Sequence, residues 1–398
     1  MNILVLNCGS SSLKYQLFDM TNESVLAKGL VERIGIEGSF LVHEAAGKEK
    51  MERKGEMPDH TVAIRFVLEA LTDSVYGVVQ SFAEINAIGH RVVHGGEDFS
   101  GSVLITDEVK EALVRNSDLA PLHNPPNLMG IAAAEANMPG TPNVGVFDTS
   151  FHAQMPKHAF LYGLPYDLYE KHRIRRYGFH GTSHRFVSER CAELLERPLS
   201  EVRLITAHLG NGGSLSAIMN GISVDTSMGF TPLEGVMMGT RTGDFDPAIV
   251  MYLMQKENLD AAELNSLFNK KSGMLGLSGI SSDMRDIESK MDEGDEQAKL
   301  AWDVYEYRIR KYIGSYIAAM NGVDALIFTA GVGENDAILR TVICRNLSYF
   351  GIEIDEELNG NRKIKEKMIS TPGSKIKVFV IPTNEELVIA RDTFAIVK

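Results

Sequence analysis

NILVLNCGSSSLKYQLFD, residues 2–19, runs from an apolar segment into three consecutive serines and on into a second, alternating segment. Two such segments joined by a small-residue turn are typical of a β-hairpin. The arrangement recurs half a chain later in VRLITAHLGNGGSLSAIMNGISVDTS, residues 202–227. The strands are predicted at 3–6 and 204–207, and the turns at 9–12 and 210–214.

The recurrence predicts two related domains. A third strand is predicted after each hairpin, and each half has a later apolar strand that ends in chemically active residues, at 141–150 and 324–335. Strand-like and helix-like segments alternate throughout, which is typical of an α/β protein. We place the domains at 1–150 and 151–385. A terminal helix is predicted within 381–394. The segment 386–398, which contains most of this helix, is expected to return to the first domain.

Composition limits the classes of function. The chain has 398 residues, 44% of them hydrophobic, and a formal net charge of −13 from 40 basic and 53 acidic side chains. This balance disfavours nucleic-acid binding, because no overall positive field is available. Cys8, Cys191 and Cys344 are too few and too scattered for a disulfide framework. With no segment long enough to span a bilayer, the sequence predicts a cytoplasmic protein with no membrane partner.

The two small-residue turns predict a phosphate site. Gly and Ser expose backbone N–H groups and hydroxyls to phosphate oxygens, because small side chains allow close approach. Either turn alone would be an ordinary hairpin turn, and it is the pair at equivalent positions that favours function. The chain has no GxxxxGK[ST] loop, and GVGEND (331–336) lacks the third glycine of a dinucleotide motif, so a nicotinamide site is not indicated.

Further polar motifs lie outside the two hairpins. Arg91 follows an apolar strand in GHRVVHGGEDF (89–99), and Arg241 lies in the glycine-rich stretch 235–248. Guanidinium groups match the oxygens of carboxylates and phosphates, so two arginines in such loops predict an anion site. RRYGFHGTSH (175–184) adds His180 and His184, and LAPLHNPPN (119–127) is predicted to be a rigid loop. The charged stretch 288–299 is predicted to be a solvated face.

Seven strings, in order along the whole chain, resemble one family. They are LVLNCGSSSLKYQLFD, GHRVVHGGEDF, YGFHGTSH, HLGNGGS, TSMGFTPLEGVMMGTRTGDFDP, FTAGVGEN and IPTNEEL. They are similar to the acetokinase family of short-chain acyl kinases. The resemblance implies a duplicated ribonuclease-H-like α/β fold, shared with actin, sugar kinases and the Hsp70 ATPase domain, with an active-site cleft between two domains.

The resemblance also implies an acetate kinase activity. This is the reversible transfer of the γ-phosphoryl group of ATP to acetate, giving acetyl phosphate and ADP by direct in-line transfer. Mg²⁺, with Mn²⁺ as an alternative, is the implied metal, and a homodimer is the implied assembly. Acetate is already ionised at neutral pH, so no general base is required.

Site residues follow from the resemblance position by position. Arg91 and Arg241 would flank the phosphoryl group and the acetate carboxylate, and His180 would stabilise the transition state. Asp148 would orient Arg91 or the metal, two roles left open. Asn7 and Glu385 would be the Mg²⁺ ligands.

The remaining assignments concern the two substrates. The acetate methyl group would lie against Val93, Leu122, Phe179 and Pro232. The predicted nucleotide contacts are Ser10, Ser12, Lys14, His208, Leu209, Gly210, Asn211, Gly212, Asp283, Met284, Arg285, Gly331, Val332, Gly333, Glu334 and Asn335. Cys8, beside Asn7, predicts sensitivity to thiol reagents.

Two alternatives remain open at this stage. A propionate or butyrate kinase of the same family would share every motif, and a panel of acids would separate these activities. An actin-like or Hsp70-like ATPase would share the phosphate turns. It would have no use for Arg91, His180 and Arg241 around a small apolar pocket.

Overall fold

The computed structural model describes residues 1–398 and divides into two compact units. The first comprises Met1–Ala153 and Asn384–Lys398, and the second comprises Gln154–Thr383. Glu385, assigned from the sequence to the end of the second domain, therefore belongs to the first unit. No helix is both long enough and apolar enough to cross a lipid bilayer.

Each unit is built on one β-sheet. The strands of the first unit are β1 (Asn2–Cys8), β2 (Ser12–Asp19), β3 (Ser24–Glu32), β4 (Phe40–Ala45), β5 (Met51–Lys54), β6 (Ile85–Val92), β7 (Val103–Leu104) and β8 (Asn143–Phe147). Those of the second are β9 (Arg203–Leu209), β10 (Gly213–Met219), β11 (Ile222–Thr226), β12 (Ala325–Thr329), β13 (Lys367–Met368) and β14 (Lys377–Val380).

Helices cover the sheets. The first unit has α1 (His60–Leu71), α2 (Asp107–Arg115) and α3 (Asn124–Asn137). The second has α4 (Lys157–Phe160), α5 (Tyr166–His172), α6 (Gly181–Leu194), α7 (Ala248–Lys256), α8 (Ala261–Lys270), α9 (Gly273–Ser278), α10 (Met284–Asp292), α11 (Glu296–Ala319), α12 (Ala330–Asn335), α13 (Ala337–Arg345) and α14 (Glu356–Gly360). The C-terminal helix α15 (Glu385–Val397) completes the first unit.

The two sheets have the same central topology. Their strand orders are β5-β4-β3-β2-β1-β6-β8-β7 and β11-β10-β9-β12-β14-β13. Each contains a three-stranded antiparallel meander followed by two parallel strands and an antiparallel edge strand, and β4 and β5 extend the meander of the first sheet to five strands. This repetition confirms the duplicated α/β fold expected from the sequence.

The structure corrects one detail of the repeat. The sequence comparison matched 141–150 with 324–335, which are β8 and β12. By strand order, β12 corresponds to β6, because each is parallel to the first strand of its own sheet. β8 corresponds to β14 in the same way. β6 and β8 are both apolar strands that end in polar residues, so the sequence pattern alone does not distinguish them.

Helix boundaries differ from the sequence analysis at two places. The predicted loop 119–127 ends in a helix, since α3 begins at Asn124 and Pro125 and Pro126 occupy its first turn, where missing N–H groups cost nothing. The terminal helix begins at Glu385 rather than at 381, and Asn384 caps it by accepting a hydrogen bond from Leu387 N–H.

Buried apolar residues pack on both faces of the first sheet. Leu4, Leu6 and Leu13 lie in a core with α1 and α3, while Ile3 and Val5 meet α15 on the opposite face. This alternation follows from the period of two along a strand. In the second unit the largest core forms where β9, β10, β12 and β14 pack with α11 and α13. The sheets therefore hold the polar strand ends on rigid supports.

Candidate active site

Three polar side chains of the first unit lie at one edge of its sheet. Asn7 is near the end of β1, Arg91 near the end of β6, and Asp148 directly follows β8. These three strands are parallel neighbours, so their carboxyl ends meet at the same edge, where α/β folds place ligands. The sheet thus gathers residues that are far apart in sequence.

Arg91 and Asp148 form a two-point ion pair. Arg91 Nε donates to Asp148 Oδ1 at 3.2 Å and Nη2 donates to Oδ2 at 2.5 Å. Burial alone would lower the pKa of Arg91, but the carboxylates of Asp148 and Glu385 outweigh it, so the pKa lies above its ordinary value. The geometry favours Asp148 as the group that orients Arg91, the first of the two roles left open.

Asn7 and Glu385 contact the same arginine. Arg91 Nη1 donates to Asn7 Oδ1 at 3.4 Å, and Nε lies 3.9 Å from Glu385 Oε2. Burial raises the pKa of Glu385 to about 7, although the charges of Arg91 and Lys14 oppose the rise. Lys14 itself is exposed on β2 and pairs with Asn7 in the sheet.

The first unit has oxygen donors that suit a divalent cation. No group of three or more His, Cys, Asp or Glu side chains could hold a metal by itself. Asn7 and Glu385 instead supply an amide and a carboxylate oxygen near the same guanidinium. Mg²⁺ commonly takes one or two protein oxygens and completes its shell with water and phosphate, so this donor set fits Mg²⁺.

The serine turn closes the β1–β2 hairpin, as predicted. Gly9 N–H donates to Ser12 O at 2.9 Å, and His60 Nε2 contacts Gly9 O at 2.8 Å. Ser10 is exposed and Ser12 is the first residue of β2. Phosphate binding at this turn stays a prediction.

In the second unit, a cluster of three histidines surrounds Ser214. His180 Nδ1 lies 2.9 Å and His184 Nε2 2.8 Å from Ser214 Oγ. The ring of His180 stacks on that of His208 at a centroid distance of 4.1 Å. His208 Nδ1 in turn lies 2.8 Å from Ser183 Oγ. Hydrogen bonds and stacking thus fix the orientation of the His180 ring.

His180 also has an uncommon backbone conformation. Its φ of 56° is in the left-handed region, directly before α6, where a residue with a Cβ is disfavoured. Such positions concentrate at functional sites, because the surrounding fold must hold them against local strain. This observation supports the selection of His180 as a site residue.

Arg241 lies beside His180 and has no carboxylate partner. A Cβ placed on Gly212 would lie 3.7 Å from both Arg241 Nη1 and His180 Nε2, so the glycine turn adjoins both groups. The guanidinium contacts Pro232 O at 3.4 Å and Met238 Sδ at 4.0 Å, both through Nη1. Burial lowers the pKa of Arg241. A half-buried cation without a counter-charge is suited to an anionic ligand.

A cleft of about 680 Å³ opens in the second unit. Eight predicted nucleotide contacts line it, namely Gly210, Asn211, Asp283, Met284, Arg285, Gly331, Val332 and Asn335. Asp283 caps α10 and binds Arg285 at two points, and this arginine lowers the pKa of Asp283 to about 2. A Cβ on Gly331 would meet no atom within 4 Å, so this glycine borders open space.

Other predicted nucleotide contacts have different surroundings. Leu209 is fully buried in the apolar core, and Gly333 packs on the sheet, where a Cβ would lie 3.4 Å from Ala207 O. Glu334 Oε1 accepts from the N–H groups of Ala330 at 2.9 Å and Thr383 at 3.3 Å. Ala330 has a φ of 65°, so Glu334 stabilises a strained turn rather than facing the cleft.

The four residues predicted to contact the acetate methyl group belong to both units, and each is described within its own unit. Val93 in the first and Phe179 in the second are buried, and Pro232 O contacts Arg241. Leu122 is 68% exposed, so it adds no enclosed apolar wall within its own unit.

Cys8 corrects the expectation of thiol sensitivity. The side chain is 6% exposed, and burial raises its pKa to about 12. Because the thiolate is the reactive species, burial and the raised pKa predict little reaction of Cys8 with thiol reagents.

The cleft wall also contains four polar residues that the sequence analysis did not select. Glu288, Tyr305, Asp336 and Arg362 line the same cleft. Glu288 Oε1, Asp336 Oδ2 and Tyr305 Oη are all buried without a hydrogen-bond partner. The stretch 288–299 is therefore not a wholly solvated face. Its charge pattern resembles that of a surface helix, and only the fold shows that Glu288 faces Asp336.

We expect this carboxyl pair to make stability depend on pH. Burial and the neighbouring carboxyl group of Asp336 raise the pKa of Glu288 from 4.5 to about 8. The folded state thus holds a proton that the unfolded state loses, so this stabilisation is complete below pH 4.5 and is lost as the pH rises to about 8. Glu288→Gln should therefore stabilise the protein at about pH 9, by on the order of 1 kcal/mol after solvent screening, and have little effect at about pH 5.

Thermal unfolding of the wild-type protein and of Glu288→Gln at the two pH values measures this difference in stability. Glu293→Gln is the control, because Glu293 is exposed and pairs with Lys290 on the surface. An equal effect of Glu288→Gln at both pH values would contradict the raised pKa of Glu288.

The chain is similar to known proteins along its whole length. The model of the acetokinase family matches residues 2–391. An acetate kinase of Thermosipho melanesiensis is 62% identical over 400 residues, covering 100% of this chain and 98% of the relative. Among solved structures, an acetate kinase of Porphyromonas gingivalis has a TM-score of 0.96 at 52% identity, with 100% of both chains covered. A propionate kinase of Francisella tularensis has a TM-score of 0.92 at 41% identity, with 99% of both covered.

Proposed function

The chain belongs to the acetokinase family, and from this premise we propose that it is a kinase that transfers the γ-phosphoryl group of ATP to the carboxylate of acetate, reversibly. The observation that carries the proposal is Arg241, a half-buried cation without an ion-pair partner beside His180 and the glycine turn. Such a group has a role where an anion binds.

The proposed mechanism is direct in-line transfer. An acetate oxygen attacks the γ-phosphorus, the bond to the β,γ-bridging oxygen breaks, and ADP leaves. Negative charge on the equatorial oxygens is stabilised by Arg91 and Arg241 and by a hydrogen bond from His180. Asp148 fixes the guanidinium of Arg91 at two points. Preorganised donors of this kind need no rearrangement during transfer, which is the source of the rate enhancement.

Different residues are proposed to bind the nucleotide and the metal. The cleft of the second unit, with Gly331 at its open wall, is the proposed adenosine site. Asn7 and Glu385 would hold Mg²⁺, which neutralises phosphate charge when bound. Burial raises the pKa of Glu385 and the charge of Arg91 opposes the rise, and a bound divalent cation would favour the ionised carboxylate in the same way.

An acyl-phosphate trap tests the reaction. Purified protein is incubated with MgATP, hydroxylamine and one acid from the series acetate, propionate and butyrate. We expect strong acetyl hydroxamate formation with acetate and less with the longer acids. One methylene group changes the free energy of binding in an apolar pocket by about 1–3 kcal/mol. Higher kcat/KM for propionate would instead favour the activity named for the Francisella relative. Absence of hydroxamate with every acid would refute the proposal.

We also propose that the chain forms a homodimer. Helix α7 has no buried residue although it carries Ile249, Met251, Tyr252 and Met254, each 41–60% exposed. An apolar surface of this kind is typical of an interface. Analytical ultracentrifugation should give twice the chain mass, and the double substitution Met251→Glu with Tyr252→Glu should give monomers. Lys270→Glu on α8 is the control, and a monomeric wild-type protein would contradict the proposal.

A further inference from the structure

Asn127 connects the ends of two neighbouring strands through its side chain. Its Oδ1 accepts from Val93 N–H at 3.1 Å, and its Nδ2 donates to Cys8 O at 3.0 Å. Cys8 ends β1, and Val93 directly follows β6. The residue is 4% exposed, so water does not compete for these bonds.

The bridge lies where the ladder between the two strands ends. The pairing of β1 with β6 runs from Asn2 to Leu6, whose partner is His90. Asn7 and Arg91 are the next residues on each strand, so they lie beyond the last paired residues. A side-chain amide carries one donating and one accepting group, as a peptide unit does. Asn127 thus continues the connection that the backbone no longer makes.

Helix α3 holds Asn127 in place. Pro125 and Pro126 precede it in the first turn, and each ring fixes its φ. One turn further on, a Cβ on Gly130 would lie only 2.4 Å from Cys8 Sγ. The helix backbone therefore packs closely on β1, and a rigid element carries the bridging amide.

We propose that Asn127 is a positioning residue for the transfer reaction, because it sets the separation between Asn7 and Arg91. The inference rests on the proposed function for the roles of these two residues. Their contact, Arg91 Nη1 to Asn7 Oδ1, is 3.4 Å long. Hydrogen bonds weaken steeply beyond this length, so a small parting of the two strand ends would break it.

Asn124 provides a matched control in the same helical turn. It is also buried, at 0% exposure. Its Oδ1 accepts from His94 N–H at 3.2 Å, and its Nδ2 donates to His94 O at 2.9 Å. Both bonds thus go to a single residue beyond β6 and neither reaches β1. Loss of the Asn124 amide removes equivalent hydrogen bonds without removing a bridge.

The experiment compares Asn127→Asp with Asn124→Asp. Each variant keeps the side-chain size and replaces the donating NH₂ group by an oxygen that faces a carbonyl. We expect kcat to fall about 10- to 100-fold in Asn127→Asp, as for residues that orient metal ligands, and to stay close to the wild-type value in Asn124→Asp. The KM for ATP should change less than kcat in both, because the proposed adenosine cleft lies in the other unit.

Crystal structures of both variants give a readout that is independent of activity. The Asn7–Arg91 contact should open beyond hydrogen-bond distance in Asn127→Asp only. Retention of this contact, or equal losses of kcat in the two variants, would overturn the proposal. Should Asn127→Asp not fold, Asn127→Ala removes both bonds without adding charge, and the same outcomes apply. A wild-type protein that makes no acyl phosphate would refute the proposed function, while the measured contact still decides the positioning role.

Discussion

Arg241→Ala is expected to lower kcat by about 10³-fold or more, the range for arginines that stabilise phosphoryl transfer. The side chain is half-buried, its charge has no carboxylate partner, and burial lowers its pKa. An unpaired buried charge is unfavourable for folding. Removing it should therefore leave the free energy of unfolding unchanged or increase it, so that activity and stability change independently.

Steady-state kinetics and thermal unfolding of the same preparation measure both effects. Arg285→Ala is the matched control, because Arg285 is 88% exposed and paired with Asp283 at the cleft wall. It should raise the KM for ATP and leave kcat nearly unchanged. Arg241→Lys should recover only part of the loss, since an ammonium group lacks the planar fork of donors. Near-normal turnover of Arg241→Ala would remove Arg241 from the transfer step.

Strand patterns were the most predictable part of the molecule. The apolar segments on each side of the turns at 9–12 and 210–214 become β1, β2, β9 and β10, because apolar alternation and a tight turn are local properties of the sequence. The structural equivalence of β12 in the second sheet and β6 in the first was not predictable in this way. It depends on which strand lies parallel to the first strand of each sheet, and that is a long-range property.

The residues of the candidate site also differ in whether local sequence or long-range contacts identify them. Arg91, His180 and Arg241 were selected because their motifs are unusual in the sequence itself. Asn127 and Glu288 were not, since the motif that ends in Asn127 predicts only a rigid loop and the charged stretch that begins with Glu288 predicts only a solvated face. Their importance arises from atoms distant in sequence: Cys8 O and Val93 N–H for Asn127, and Asp336 for Glu288. Leu209 shows the converse, because it lies within a site motif but its side chain is in the core.

The second large effect concerns Arg91 and Asp148, which we expect to act as one unit. Arg91→Ala should lower kcat about 10³-fold, because it removes a cation proposed to contact the phosphoryl group. Asp148→Ala should lower kcat by about 10²-fold or more, because the guanidinium loses the carboxylate that orients it. The double variant should be no slower than Arg91→Ala, since Asp148 then has nothing to orient.

Stability separates this role from a purely structural one. Asp148 is 1% exposed, and removing either partner of a buried pair typically costs about 3–5 kcal/mol, so kcat must be expressed per folded molecule. Arg190→Ala is the matched control, because Arg190 binds Glu366 in the same two-point geometry on the surface, and it should leave kcat unchanged. Losses of kcat that multiply in the double variant would show that Asp148 acts independently of Arg91. Asp148 would then take the alternative role, toward the metal.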